Sequence, residues 1–143
     1  MKIKAIGYWV ATALIALETL AGGVTDLIHG RTGLFNGPRV ADVLTSLGYP
    51  VYVLTILGIW KIPGAIILVV PRFLRLKEWA YAGIVFELSG AAASLAVRGH
   101  RNDLVAPLVL LGLALASWAF RPSSRILGAV SPTKKNGRDF NAG

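Results

Sequence analysis

The chain has 143 residues, of which 55% are hydrophobic, and it carries a formal net charge of +8 with a mean hydropathy of +0.62. This apolar content exceeds what the surface of a soluble domain tolerates and predicts a membrane-embedded protein, with the lipid bilayer as its first partner. The sequence has no cysteine, which excludes disulfides and thiolate chemistry, and it lacks the aromatic-interleaved basic face of a nucleic-acid-binding protein.

Four apolar segments are each close to the length of about 20 residues that a helix needs to cross about 30 Å of hydrocarbon. In chain order the predicted spans are residues 5–28, 51–70, 79–97 and 104–120. Together they predict an all-α integral membrane protein, a four-transmembrane-helix bundle in a single domain of residues 1–121.

The segment between the first two spans contains a helical signal of its own. Gly37-Pro38 favours a helix start, Gly48 favours its end, and apolar residues recur between them at helical spacing, at Val40, Val43, Leu44 and Leu47. We expect a short amphipathic helix in this first external loop. It either covers the bundle or serves as a plain surface connector.

Lysine and arginine predict the orientation. They are concentrated near the N-terminus, in the loop region that carries Arg72, Arg75 and Lys77, and after the last span. Because basic residues favour the cytoplasmic side of a membrane, we expect both termini to be cytoplasmic. Residues 122–143 are basic, polar and without periodicity, which predicts a disordered cytoplasmic tail.

Three charged residues lie inside the predicted spans. Counted from the span centres, Glu18, Lys61 and Glu87 fall at nearly the same depth. A lone charge in hydrocarbon costs about 2.5–3.5 kcal/mol on insertion scales, so we expect the three side chains to face one another. Each shares a helix face with small residues, which is typical of close helix contacts in membranes. Pro63 predicts a kink beside the lysine.

This trio has two interpretations. One is a structural ion cluster that fixes helix packing; the other is a ligand or proton site, in which Glu18 and Glu87 share a proton. Thr25, Asp26 and His29 form a second polar group at the outer end of the first span. They are candidates for a pocket mouth, and a polar helix end that faces water has the same pattern. The sequence leaves any catalytic residues unknown and predicts no metal site.

Several short motifs occur in order along the middle of the chain: Gly48-Tyr49-Pro50, Leu57-Gly58, Lys61, Pro71-Arg72, Glu87 and, most specific, "LKEWAYAG" at Leu76–Gly83. With these motifs the chain resembles the DoxX-like family of small bacterial membrane proteins, over roughly residues 6–121. The resemblance implies a four-helix bundle in the bacterial cytoplasmic (inner) membrane. It also implies a role near quinone-linked sulfur oxidation or oxidative-stress complexes, and it carries over no set of catalytic residues.

We expect the bundle to bind a small lipophilic molecule such as a quinone, without a covalent bond. Lys61 or a protonated glutamate would donate a hydrogen bond to its carbonyl, and Trp60 would border the pocket. The protein would then be a membrane subunit of a redox or stress-related system. Three alternatives stay open: a proton-coupled small-molecule transporter, which would need a homodimer; a non-catalytic assembly subunit that docks a soluble partner on the basic loop; and a membrane enzyme with Glu87 as its acid–base.

Overall fold

A computed structural model describes residues 2–29 and 39–126 of the chain. The helices are α1 (Lys2–Leu27), α2 (Val40–Ser46), α3 (Tyr52–Val69), α4 (Leu74–Val97) and α5 (Val105–Ala119), with 3-10 turns at Arg101–Leu104 and Ser123–Arg125. Four helices, the last counted from Arg101, are long and apolar enough to cross a membrane, and the described residues contain no strand. The predicted all-α membrane bundle is confirmed.

The four long helices close into a ring in which each packs against two others. α1 contacts α3 and α5, and α4 contacts the same two helices from the opposite side. Spans that follow one another in the chain are therefore neighbours in space, including α1 and α3, which are joined through α2. The core contains apolar side chains from all four helices: Ile15, Ala16, Leu68, Tyr81, Ile84, Leu88 and Ala114.

α4 begins earlier than its hydropathy predicts. The predicted span starts at residue 79, whereas the helix starts at Leu74 and includes Lys77 and Glu78. Hydropathy counts a charge as a cost, but both side chains have partners inside the bundle: Glu78 pairs with Arg121, and Lys77 bonds backbone carbonyls. The other three predicted spans and their helices differ by at most three residues at either end.

Glycine brings α1 and α3 into close contact. A methyl group added at Gly58 would lie 2.8 Å from the backbone oxygen of Gly23 and 2.7 Å from the side chain of Leu27. A methyl group at Gly23 would lie 2.8 Å from Cβ of Lys61. The two backbones approach each other because neither glycine has a side chain, as is common where membrane helices associate.

Lys77 caps the C-terminal end of α3. Pro71 has no N–H, so it cannot donate to the carbonyl of Ile67 four residues earlier. The fully buried ammonium of Lys77 donates to that carbonyl and to the carbonyl of Leu68, each at 2.6 Å. The basic loop, which one of the alternatives makes a docking site for a soluble partner, therefore has one of its three cations in the interior. We call this end of the bundle, defined by Lys77 and Arg125, the basic end.

Arg125 fastens the chain after α5 to the basic end. Its guanidinium lies 4.6 Å from the ring centre of Trp9 and donates to the hydroxyl of Tyr8 at 3.2 Å. Residues 123–125, which fall in the predicted tail, form a 3-10 turn, and the guanidinium in this turn has aromatic partners. The rest of the predicted tail, residues 127–143, lies outside the described residues.

α2 lies between the first two spans, as the apolar spacing predicts. It begins at Val40, and the chain turns at Gly48, whose φ of 90° is a conformation that glycine adopts without strain. The hydroxyl of Tyr49 lies 2.9 Å from that of Ser94 and ties this segment to α4. The predicted start signal, Gly37-Pro38, lies outside the described residues.

Gly58→Ala tests the contact between α1 and α3. The added methyl group has to displace the backbone of α1, so we expect the free energy of unfolding to fall by about 1–3 kcal/mol. Thermal unfolding of the purified protein in detergent measures this as a lower melting temperature. Gly90→Ala is the matched control, because its surroundings are open and the change only improves helix propensity. Equal melting temperatures for the two variants would contradict the contact.

Lys77→Met tests whether the hydrogen bonds of Lys77 stabilise the last turn of α3. Without the ammonium, the carbonyls of Ile67 and Leu68 lose their donor, and we expect a loss of about 1–3 kcal/mol in the free energy of unfolding. Amide hydrogen exchange in the last turn of α3 should become faster. Arg75→Met, two positions earlier on an exposed side chain, is the matched control. Unchanged exchange in Lys77→Met would show that the lysine does not hold this turn.

Candidate functional site

Lys61 lies midway along α3, and its ammonium is paired on two sides. Nζ is 2.7 Å from Asp26 Oδ2 of α1 and 2.6 Å from Glu87 Oε1 of α4. The side chains of Lys61, Asp26 and Glu87 are 15%, 4% and 24% exposed. Because each charge is held away from water, close pairing is what makes its burial tolerable. One lysine thus ties three helices together.

Glu18 lies near the lysine without an ion pair to it. A methyl group at Gly22 would be 3.5 Å from Glu18 Oε1 and also 3.5 Å from Lys61 Nζ, so the two groups approach the same glycine. Glu18, Gly22 and Asp26 are spaced four residues apart and share one face of α1. We call Glu18, Asp26, Lys61 and Glu87 the lysine cluster.

The level of the lysine on α1 differs from the level that the span centres predict. Lys61 packs beside Gly23, whereas the centres place it beside residue 17. α3 is shifted along α1: Lys61 comes nine residues after the start of α3 at Tyr52, whereas Gly23 comes only four residues before the end of α1 at Leu27. At this level Asp26 is the buried partner of Lys61, and Glu18 lies nearby without an ion pair to it.

Thr25 and His29 do not join the cluster. Thr25 donates its hydroxyl to the carbonyl of Ala21 within α1 at 2.9 Å. His29 Nε2 lies 3.1 Å from Thr55 Oγ1 of α3, just beyond the end of α1. Of the three residues considered for a pocket mouth, only Asp26 reaches the lysine.

A groove of about 540 Å³ opens between α3 and α4 beside the lysine cluster. Trp60 and Trp79 on its rim are 72% and 74% exposed, so the groove opens on the outer surface of the bundle, the surface that faces lipid in a membrane. Its lining is mostly apolar, with one hydroxyl, two indole N–H groups and one ion pair, and consists of Thr19, Leu57, Trp60, Lys61, Pro63, Gly64, Ile67, Leu76, Trp79, Ala80, Gly83, Ile84 and Glu87.

Two glycines on facing helices provide the space in the groove. A methyl group at Gly64 of α3 or at Gly83 of α4 would meet no atom within 4 Å, in contrast to one at Gly58. α3 continues as one helix through Pro63, the residue directly before Gly64. Because proline has no N–H, the carbonyl of Ile59 loses its usual donor at this depth. The groove therefore lies beside the Pro63–Gly64 stretch of α3.

The groove combines long apolar walls with one ion pair. Lys61 supplies hydrogen-bond donors and Glu87 supplies acceptors. Between apolar walls such groups interact more strongly with a bound polar atom than they would in water. In the described parts of the chain, no three His, Cys, Asp or Glu side chains are placed to hold a metal ion. The arrangement suits a lipophilic molecule with a polar head.

The sequence contained a signal for one wall of the groove that residue-level reasoning missed. Trp79, Gly83 and Glu87 are spaced four residues apart and lie on one face of α4. The first two belong to the "LKEWAYAG" block, which entered only as a family motif. Lys61, Glu87 and Trp60 were candidates from the sequence; Trp79 and Gly83 were not.

The model of the DoxX-like family matches residues 10–117. This range covers more than half of the 143 residues and includes the whole lysine cluster and the lining of the groove. The chain belongs to the DoxX-like family. Comparisons with curated proteins and with solved structures give no match.

Asp26→Asn should destabilise the protein more than Glu18→Gln. Asp26 pairs directly with Lys61 and is nearly fully buried, so its neutralisation should lower the free energy of unfolding by about 1.5–3 kcal/mol. Double-mutant cycles with Lys61→Met, measured by thermal unfolding in detergent, give the coupling of each carboxylate to the lysine. A larger coupling for Glu18 than for Asp26 would refute this geometry.

Proposed function

We propose that this DoxX-like membrane protein binds a small lipophilic molecule, such as a quinone, in the groove between α3 and α4. The observation that carries the proposal is the position of the Lys61–Glu87 ion pair on the wall of an apolar groove of about 540 Å³. A role as membrane subunit of a redox or stress-related system is part of the proposal, and its support is the family resemblance.

The size and lining of the groove support this proposal. Small-molecule pockets commonly span about 300–1,000 Å³ and are mostly apolar, with a few polar groups that orient the ligand. The groove has these properties, and its rim at Trp60 and Trp79 is open to the surface that faces lipid. A molecule dissolved in the bilayer would enter sideways, without crossing water.

The lining also suggests how the ligand would lie. The polar head would contact the Lys61–Glu87 pair, where the only ionic groups of the lining are found. The apolar part would extend along Ile67, Leu76 and Ala80, toward the basic end. By the positive-inside rule we expect the basic end to face the cytoplasm of a bacterial inner membrane.

Proton-coupled transport is the second candidate, and one observation favours it. Three carboxylates lie around a single lysine in the apolar part of the bundle, and clusters of this kind occur in proton relays. Flux of a lipophilic substrate into proteoliposomes under a pH gradient distinguishes transport from binding alone. Four spans would have to assemble as a dimer for this task.

Gly83→Leu should fill the groove and weaken binding. With the full-length protein in lipid nanodiscs and decylubiquinone as the probe, we expect saturable binding in the wild type and a loss of at least about tenfold in Gly83→Leu, equivalent to about 1.4 kcal/mol. Gly90→Leu is the matched control, because it makes the same change on α4 at an open position outside the groove.

Two results would contradict the proposed site. One is an absence of saturable binding in the wild type, together with no lipophilic compound in mass spectra of the gently solubilised protein. The other is equal affinity in Gly83→Leu and Gly90→Leu, which would move any binding away from the groove.

A further inference from the structure

Lys61 has one hydrogen-bond donor available to the groove. Its ammonium carries three N–H bonds, and two of them serve Asp26 Oδ2 and Glu87 Oε1. Within residues 2–29 and 39–126, no third acceptor is bonded to it. Since Lys61 lines the groove, a molecule bound there can accept a hydrogen bond from the third N–H.

Glu87 has an acceptor available at the same place. A carboxylate accepts at both oxygens, and Oε1 is the oxygen that faces Lys61 at 2.6 Å. No donor among the described side chains is bonded to Oε2. The side chain of Glu87, at 24% exposed, is also more exposed than those of Lys61 and Asp26. The wall therefore presents a donor and an acceptor on two residues in direct contact.

The charges around the lysine disfavour an anionic head group. Asp26 and Glu87 pair with Lys61, and Glu18 lies close to it without an ion pair. A fourth carboxylate, or a phosphate, would meet these like charges where little water screens them. A neutral head group avoids this repulsion.

We propose that the groove selects lipophilic molecules whose polar head is a neutral hydroxyl on an aromatic ring. A hydroxyl can donate to Glu87 and accept from Lys61 at once, whereas a carbonyl or ether oxygen only accepts and leaves Glu87 without a donor. Trp60 and Trp79 on the rim suit an aromatic ring. This inference rests on the proposed function and specifies its ligand: of a quinone pair, the hydroquinone binds more tightly than the quinone.

Three probes with the same ring and tail test the head group without redox chemistry: 4-decylphenol, 4-decylanisole and 4-decylbenzoate. The full-length protein is titrated in nanodiscs, affinities are expressed as mole fractions in the lipid, and Gly83→Leu gives the background of bilayer partitioning. We expect the phenol to bind at least about tenfold more tightly than the anisole, as for a hydrogen bond to a charged acceptor. The benzoate should bind more weakly than the phenol.

The comparison within the wild type needs no variant that risks misfolding. Equal affinities for phenol and anisole, both lost in Gly83→Leu, would overturn the head-group inference and leave the proposed function standing. Tightest binding of the benzoate would also overturn it. If none of the three probes, nor decylubiquinone, binds above background, the proposed function fails as well.

The variant Glu87→Gln tests the role of the carboxylate. Because its acceptor is neutral, the preference for the phenol over the anisole should shrink to about threefold or less. An unchanged preference would show that Glu87 does not recognise the hydroxyl.

Discussion

The ammonium of Lys61 lies in the middle of an apolar helix, and the arrangement of the bundle follows from the need to keep it paired. Its two direct partners come from different helices, Asp26 from α1 and Glu87 from α4. To bring Asp26 within 2.7 Å, α1 and α3 must approach closely, and glycines on both helices permit this. A charge that would be costly in lipid thereby favours the contacts of α3 with α1 and α4.

A second lysine at the basic end is accommodated in another way. Lys77 has backbone carbonyls as partners, those of Ile67 and Leu68, and Arg125 reaches the carbonyl of Val69 at 3.4 Å. The end of α3, which carries the partial negative charge of its helix dipole, is thus surrounded by cations. Its last carbonyls would otherwise be unsatisfied in an apolar setting. The short connection from α3 to α4 is held in place by these bonds.

The two interpretations of the charged residues, structural and functional, are compatible in this geometry. On the side of Asp26 the ion pair is almost fully buried and holds α1 against α3. On the side of Glu87 it is partly exposed and borders the groove. α3 packs more extensively against α1 than against α4, so the same lysine lies between a tight contact and an open one. A structural ion pair with one accessible edge is a suitable place to recognise a polar head group.

Hydropathy and residue spacing were enough to predict the four spans, the helix between the first two, and a mutual approach of Lys61 and Glu87, because crossing a bilayer limits helix length and makes unpaired charges costly. The direct pairing of Lys61 with Asp26 instead of Glu18 was decided only in three dimensions, since it depends on how far α3 is shifted along α1. The same holds for the glycines. Gly58 touches a neighbouring helix, whereas Gly64 faces open space. Whether a glycine is in contact or open depends on the helix opposite it, and that helix is distant in the sequence.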